Sequence, residues 1–247
     1  MSLVLKNPHS VLAALQTRPH DVVDIRLPAG KPSPAWDEVI GLARQHDIPI
    51  RTNLAEEPKR SSADHKFERM GAAQATVHER TGLLIEELFA DASTDPGIWI
   101  ALDCLQDPHN VGAIFRTASF FGIKGIVMTR DRSAPLTATV YDVAAGGLEY
   151  VRFGEPTNMA RAMNIAKEAG IWLLGSSEHA EQDIRDIPRD RSWLLILGNE
   201  EMGLRRLTLD KCDQVCKLTS RGTVPSLNVS VAAGVLMSEL TKGFATP

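Results

Sequence analysis

Leu102-Asp-Cys-Leu-Gln-Asp-Pro-His-Asn-Val-Gly-Ala-Ile-Phe-Arg-Thr-Ala118 is the stretch on which the fold turns. An apolar run over 98–102 stops at Asp103 and gives way to a polar turn. Beyond the turn, Val111, Ile114, Phe115 and Ala118 recur at helical spacing, so a helix is expected over 111–121, with Asn110 as its cap. A buried strand passing through a short turn into a helix is the building unit of a parallel sheet.

The unit repeats in both directions. Further strands are expected at 125–128, 150–153, 171–174, 193–197 and 214–218, and helices at 137–145, 157–169, 203–210 and 227–241. Strands this apolar, alternating with helices, predict an α/β domain with a mainly parallel sheet covered on both faces. Ligands of such sheets bind in the loops beyond the strands' carboxyl ends. Towards the N-terminus lies a smaller α/β unit: a short helix from Ser10, its candidate cap, a strand at 22–27, a helix over 36–46 and short strands at 48–51 and 73–77. The expected organisation is therefore 1–79 as one unit, 80–97 as a linker ending in turn-forming residues, and 98–247 as the larger domain.

Bulk properties exclude several classes. The 247 residues hold one large domain or two modest ones. No apolar run is long enough to span a bilayer, and the first residues lack the pattern of a signal peptide. Cys104, Cys212 and Cys216 show neither zinc-ligand spacing nor a disulfide framework, so no metal is expected and a reducing cytoplasm is the default. A net charge of −4 argues against non-specific coating of nucleic acid, though not against a local basic face.

Three stretches carry candidate chemistry. In the opening one, Asn110 and Arg116 stand six residues apart, nearly two helical turns, and can border one cleft. In Leu195-Ile-Leu-Gly-Asn-Glu-Glu-Met-Gly-Leu204 an apolar strand runs into Gly198, where a ligand can approach the main chain, followed by Glu200 and Glu201. This is neither a P-loop nor a dinucleotide fingerprint. In Leu218-Thr-Ser-Arg-Gly-Thr-Val-Pro-Ser-Leu-Asn-Val-Ser-Val-Ala-Ala-Gly234 a loop rich in Gly, Ser and Thr enters a helix that Ser226 or Asn228 can cap. Taken singly, none outweighs the plainer reading as a strand-closing turn or a capped core helix.

In this order and spacing, the three stretches resemble the motifs of the SpoU/TrmH family of RNA 2′-O-methyltransferases, within the SPOUT superfamily, over about residues 98–241. The carrying residues are 107–118, 197–204 and 226–232, with Ala145-Gly146 and Glu149 between them. The N-terminal unit is similar to the ribosomal-protein-like RNA-binding domain of the subgroup that methylates guanosine in bacterial 23S rRNA. The resemblance implies a deep trefoil knot in the C-terminal domain, S-adenosyl-L-methionine as cofactor, a homodimer, and rRNA as partner. It implies a catalytic set of Arg116, Asn110, Glu200, Ser226 and Asn228, and a cofactor pocket at Leu197, Gly198, Leu218, Ser226 and Leu227. The chain departs from the family pattern at Ala144, Glu201, Thr219 and Ser220.

A guanidinium offers only donors and stays protonated, so Arg116 is expected to bind the adjacent phosphate and stabilise the developing alkoxide. Candidate RNA contacts are Lys59, Arg60, Lys66, Arg69, Arg130, Arg132, Arg205, Arg206 and Arg221. With few aromatic residues, base stacking is expected to contribute less than shape recognition of folded RNA. Two other readings keep the fold: the same chemistry on tRNA, and an RNA-binding assembly factor with weak catalysis.

Overall fold

The computed structural model describes residues 1–30, 32–52, 73–199 and 202–244. The chain begins with β1 (Ser2–Leu5), α1 (Pro8–Thr17), β2 (Val22–Leu27), α2 (Asp37–Gln45), β3 (Ile50–Thr52) and β4 (Gln74–His78). These strands form a sheet in the order β1-β4-β2-β3, antiparallel except for the β2–β3 pair. The opening strand β1 has no counterpart in the sequence reading. Helix α1 also starts earlier than expected. Asn7 caps it, accepting from the His9 amide at 2.9 Å, and Pro8 occupies the first turn, where a missing N–H costs nothing. Ser10, the expected cap, is instead buried and donates to the Tyr141 carbonyl at 2.6 Å.

After the short helix α3 (Ile85–Leu88) come β5 (Ile98–Leu102), α4 (Pro108–Phe120), β6 (Gly125–Met128), α5 (Ala138–Ala144), α6 (Gly147–Tyr150), β7 (Phe153–Gly154) and α7 (Met159–Glu168). β8 (Trp172–Ser176), β9 (Gln182–Asp183), β10 (Trp193–Leu197), α8 (Arg206–Leu209), β11 (Gln214–Lys217) and α9 (Val229–Thr241) complete the chain. The seven strands from β5 onward make one parallel sheet in the order β7-β6-β5-β10-β8-β11-β9. Both central strands, β5 and β10, are buried along their full length, as a two-sided sheet requires. The expected α/β architecture with a parallel sheet is the one observed.

Three expected boundaries move for local reasons. α4 begins at Pro108, capped by the Asp107 carboxylate on the His109 amide at 2.9 Å, so Asn110 lies inside the helix rather than at its cap. The strand expected over 150–153 shrinks to Phe153–Gly154. Left-handed Ala145 (φ 48°) and Gly146 (φ 95°) end α5 and launch α6 in its place. The helix expected from 203 begins at Arg206, because Asn199 and Gly203 pair main chain to main chain across a tight turn.

One contiguous apolar core runs from Leu5, Val11 and Leu15 to Phe115, Tyr141, Leu195 and Leu236, joining the two sheets through α1, α4, α5 and α6. A second core, around Phe89, Trp99, Met163 and Leu194, fills the opposite face of the large sheet. Residues 80–97 pack onto that sheet. The Leu83 amide bonds the Phe153 carbonyl at 2.8 Å, and the Trp99 indole donates to the Leu88 carbonyl at 3.2 Å. Among the described residues no helix is long and apolar enough to cross a membrane.

Candidate functional site

The order of the large sheet sets the place of the site. The chain runs outward from β5 to β7, then returns to lay β10 between β5 and β8. The loops leaving β8, β10 and β11 therefore leave the same sheet end side by side, where α/β sheets bind ligands. Together with the start of α9 they enclose a cavity of about 740 Å³. That volume lies within the range of small-molecule sites, roughly 300–1,000 Å³.

All five expected cofactor-pocket residues, Leu197, Gly198, Leu218, Ser226 and Leu227, line this cavity. Their neighbours Leu204, Val229 and Ala232 add apolar wall, while Asn199, Ser220 and Asn228 add polar groups. Gly198 is required for a reason the sequence reading did not give. A Cβ there would stand 2.2 Å from the Gly203 carbonyl carbon, so the chain crosses its own main chain at that point. The glycine shapes the wall and also leaves it bare.

Two residues outside the usual family pattern are bonded into the cavity rim. Thr219 donates its hydroxyl to Asp183, tying the loop after β11 to the edge strand β9. Ser220 donates to the Val224 carbonyl at 2.7 Å and closes the loop upon itself. Hydrogen bonds from the Arg185 side chain, then from Thr219, hold the Asp183 carboxyl well below the usual carboxylate range.

Asn110 and Asn228 meet. The Asn228 amide donates to Asn110 Oδ1 at 3.0 Å, joining α4 to the start of α9 beside the cavity. Asn228 also caps α9, accepting from the Ser230 amide at 2.9 Å and the Ser230 hydroxyl at 2.6 Å. Of the two caps left open by the sequence, Asn228 is the one used. Ser226 stands exposed in the loop before it. Arg116 lies further along α4, exposed to solvent. Its main chain is held by Gly147, where a Cβ would meet Arg116 Cα at 2.7 Å. Glu200, with Glu201 and the basic candidates Lys59, Arg60, Lys66 and Arg69, lies outside the described residues.

Arg205 has a partner within the chain. Its Nε and Nη2 bond both oxygens of Asp103, at 3.1 and 2.5 Å, and Thr208 donates to the same carboxylate at 2.7 Å. The Asp103 side chain is fully buried at the end of β5. Arg205 thus neutralises a buried carboxylate while its own side chain stays 44% exposed. With Asn199 donating to the Cys104 carbonyl at 3.0 Å, it fastens the turn after β10 to the turn after β5. Arg130, Arg132 and Arg221 are exposed, Arg221 at the cavity rim. Burial and then Asp103 push the Cys104 thiol up, against the opposing charges of Arg205 and Arg132, which places Arg132 near the same sheet end.

The sequence reading missed the segment Ser176, Ser177, Glu178 and His179, which forms one cavity wall. Its signal was available: a polar run directly after an apolar strand, at the end where such sheets bind ligands.

Comparison with known proteins agrees with this geometry. The SpoU rRNA Methylase family model matches residues 97–238. The 23S rRNA (guanosine-2′-O-)-methyltransferase RlmB of Neisseria meningitidis is 34% identical over 94% of this chain and 91% of its own length. The protein of the same name from Pseudomonas putida is 35% identical over 95% and 94%. Among solved structures, the SpoU methyltransferase AviRb of Streptomyces viridochromogenes in complex with the cofactor AdoMet superposes with a TM-score of 0.79. It covers 98% of this chain and 90% of its own, at 19% identity, a likeness of fold. The cavity thus lies within the family-matched segment, and on that match the chain belongs to the SpoU rRNA Methylase family.

Proposed function

We propose that this chain transfers a methyl group from S-adenosylmethionine to the ribose 2′-hydroxyl of a guanosine in 23S rRNA. The observation that carries the reading is the cavity between the loops after β8, β10 and β11, linked to α4 by the Asn110–Asn228 bond. Relatives that match nearly the whole chain bear this activity in their names.

The cavity suits the donor. Leu197, Leu204, Leu218 and Leu227 offer apolar surface for an adenine, and bare main chain at Gly198 and the polar side chains of Ser176, Ser226 and Asn199 offer partners for its heteroatoms. When bound, S-adenosylmethionine supplies an electrophilic methyl group on its sulfonium. The protein's part is alignment, since displacement at a methyl carbon gains most from holding both reactants in register. Asn110 and Asn228 fix the junction of α4 and α9 where the two substrates would meet. Arg116 binds the phosphate beside the target ribose and stabilises the developing alkoxide, as a donor-only, permanently charged group can. Ser226 and Glu200 complete the set.

The wider assembly follows from the same reading. The C-terminal segment is threaded as a trefoil knot. This is supported by α9 returning to pack on α4 and by Gly243 lying against Arg189, with no room for a Cβ between them. The active unit is a homodimer. Supporting it is the groove between α4 and α9, where Val231 and Val235 are exposed next to Phe121 and Ala113. Residues 1–79 form the RNA-capturing unit, 80–97 the connection and 98–247 the methyltransferase domain. Arg130, Arg132 and Arg221 face the RNA, and the reaction takes place in the cytoplasm.

Calorimetric titration with S-adenosylmethionine, followed by transfer of labelled methyl to separate 16S, 23S and tRNA pools, tests the proposal. Saturable donor binding and label in 23S rRNA are expected. No donor binding overturns the enzyme reading, and label in tRNA alone overturns the substrate.

A further inference from the structure

The N-terminal sheet does not hang from the catalytic domain; it is built onto it. The Glu149 carboxylate, 1% exposed, receives Nε and Nη2 of Arg18 at 2.8 Å each, in a two-pronged pair between α6 and the end of α1. Arg80 adds a second cation at 3.9 Å and spends a guanidinium nitrogen on the Leu148 and Val151 carbonyls. Asp142 accepts from the Lys6 and Asn7 amides at 3.0 and 2.9 Å, fixing the β1–α1 junction to α5.

Beside this pair, two consecutive glycines face opposite ways. A Cβ on Gly146 would meet Ala13 Cβ at 3.0 Å and the His9 carbonyl at 3.1 Å, both on α1. A Cβ on Gly147 would meet Arg116 Cα and the Phe115 carbonyl, both at 2.7 Å, on α4. One turn of main chain therefore separates the N-terminal unit from the helix that carries Arg116. A buried, two-pronged ion pair has one geometry and is little screened by salt, so it sets register even where its net contribution to stability is small.

We propose that Glu149 is a positioning residue: its ion pair with Arg18, seated beside the Gly146–Gly147 contact, locks the N-terminal unit to α4 so that RNA captured there meets Arg116 in fixed register. The proposal rests on the RNA methyl-transfer reading above. It assigns Glu149 no contact with either substrate.

The test uses the full chain, as Glu149→Gln and as the double variant Arg18→Gln/Glu149→Gln. The double variant removes the carboxylate together with its two-pronged partner, so Arg18 is not stranded as it is in the single variant, and Arg80 keeps its bonds to the Leu148 and Val151 carbonyls. Amide exchange at Lys6 and Asn7 reads the lock directly, and should rise on the order of tenfold while β5 amides stay protected. On 23S rRNA, kcat should fall about a hundredfold, the loss a small misplacement of reactants produces, with donor affinity and KM for RNA nearly unchanged. Wild-type kcat in variants whose Lys6 and Asn7 amides have opened overturns the proposal, as does unchanged exchange in both variants. If the wild-type protein methylates no RNA, the functional reading fails on that control, and the exchange data still confirm or refute the lock.

Discussion

Two arginines, Arg116 and Arg205, separate what a side chain's identity says from what its surroundings make of it. Arg116 is exposed on α4 and has no ion-pair partner among the described residues, which suits a group waiting for a phosphate. Arg116→Ala should lower the single-turnover rate about 10²–10³-fold, with calorimetric donor affinity unchanged. Arg116→Lys should lose most of that rate as well, because an ammonium lacks the planar fork. A lysine variant that keeps most of the rate would remove the guanidinium from the mechanism. Arg205 has the same chemistry and another task, since it neutralises the buried Asp103. Arg205→Met should cost about 3 kcal/mol of stability by stranding that carboxylate, and should weaken donor binding. It should leave the salt dependence of RNA binding unaltered, whereas loss of a true phosphate contact would reduce the slope by about one. Sequence could not show that Arg205 has a buried partner. Asp103 lies 102 positions before its partner, and only the sheet order brings them together.

Elements were far more legible than side-chain pairings. β5, β6 and β10 announced themselves as short apolar runs, and α9 as a capped helix of small residues. What escaped was set by contacts from elsewhere. β1 is a strand because β4 pairs with it, and α6 replaces a strand because two left-handed residues restart the helix. The pocket residues Leu197, Gly198, Leu218, Ser226 and Leu227 were all reached through family resemblance, while the wall at 176–179 needed the sheet order.

The β9 edge yields a prediction of its own. Asp183 holds the rim through Thr219, and its carboxyl sits below the ordinary value of 3.8 because Arg185 and Thr219 donate to it. A depressed carboxylate contributes stability above its unfolded value and loses it as pH falls through the folded one. The difference in Tm between the wild type and Asp183→Asn should therefore be constant above about pH 5 and shrink as pH falls below the carboxylate range. A difference that grows on acidification would contradict the assignment.

At the scale of the molecule, a continuous core and the Arg18–Glu149 pair join the two sheets. The proposed dimer adds a second level. Val231→Glu with Val235→Glu places charges in the α4–α9 groove and should yield monomers by light scattering, with loss of methyl transfer. A doubly substituted protein that remains dimeric would move the interface to another face. The proposed chemistry acts at one guanosine, and mapping the methylated nucleotide is the most direct check. Naive 23S rRNA should be incubated with the protein and S-adenosylmethionine, and its 2′-O-methyl positions read by nucleotide-resolution mapping. The account predicts a single new 2′-O-methyl group, on a guanosine, absent with the Arg116→Ala protein. A methyl group placed on a base, or placed on 23S rRNA equally well by Arg116→Ala, would contradict it.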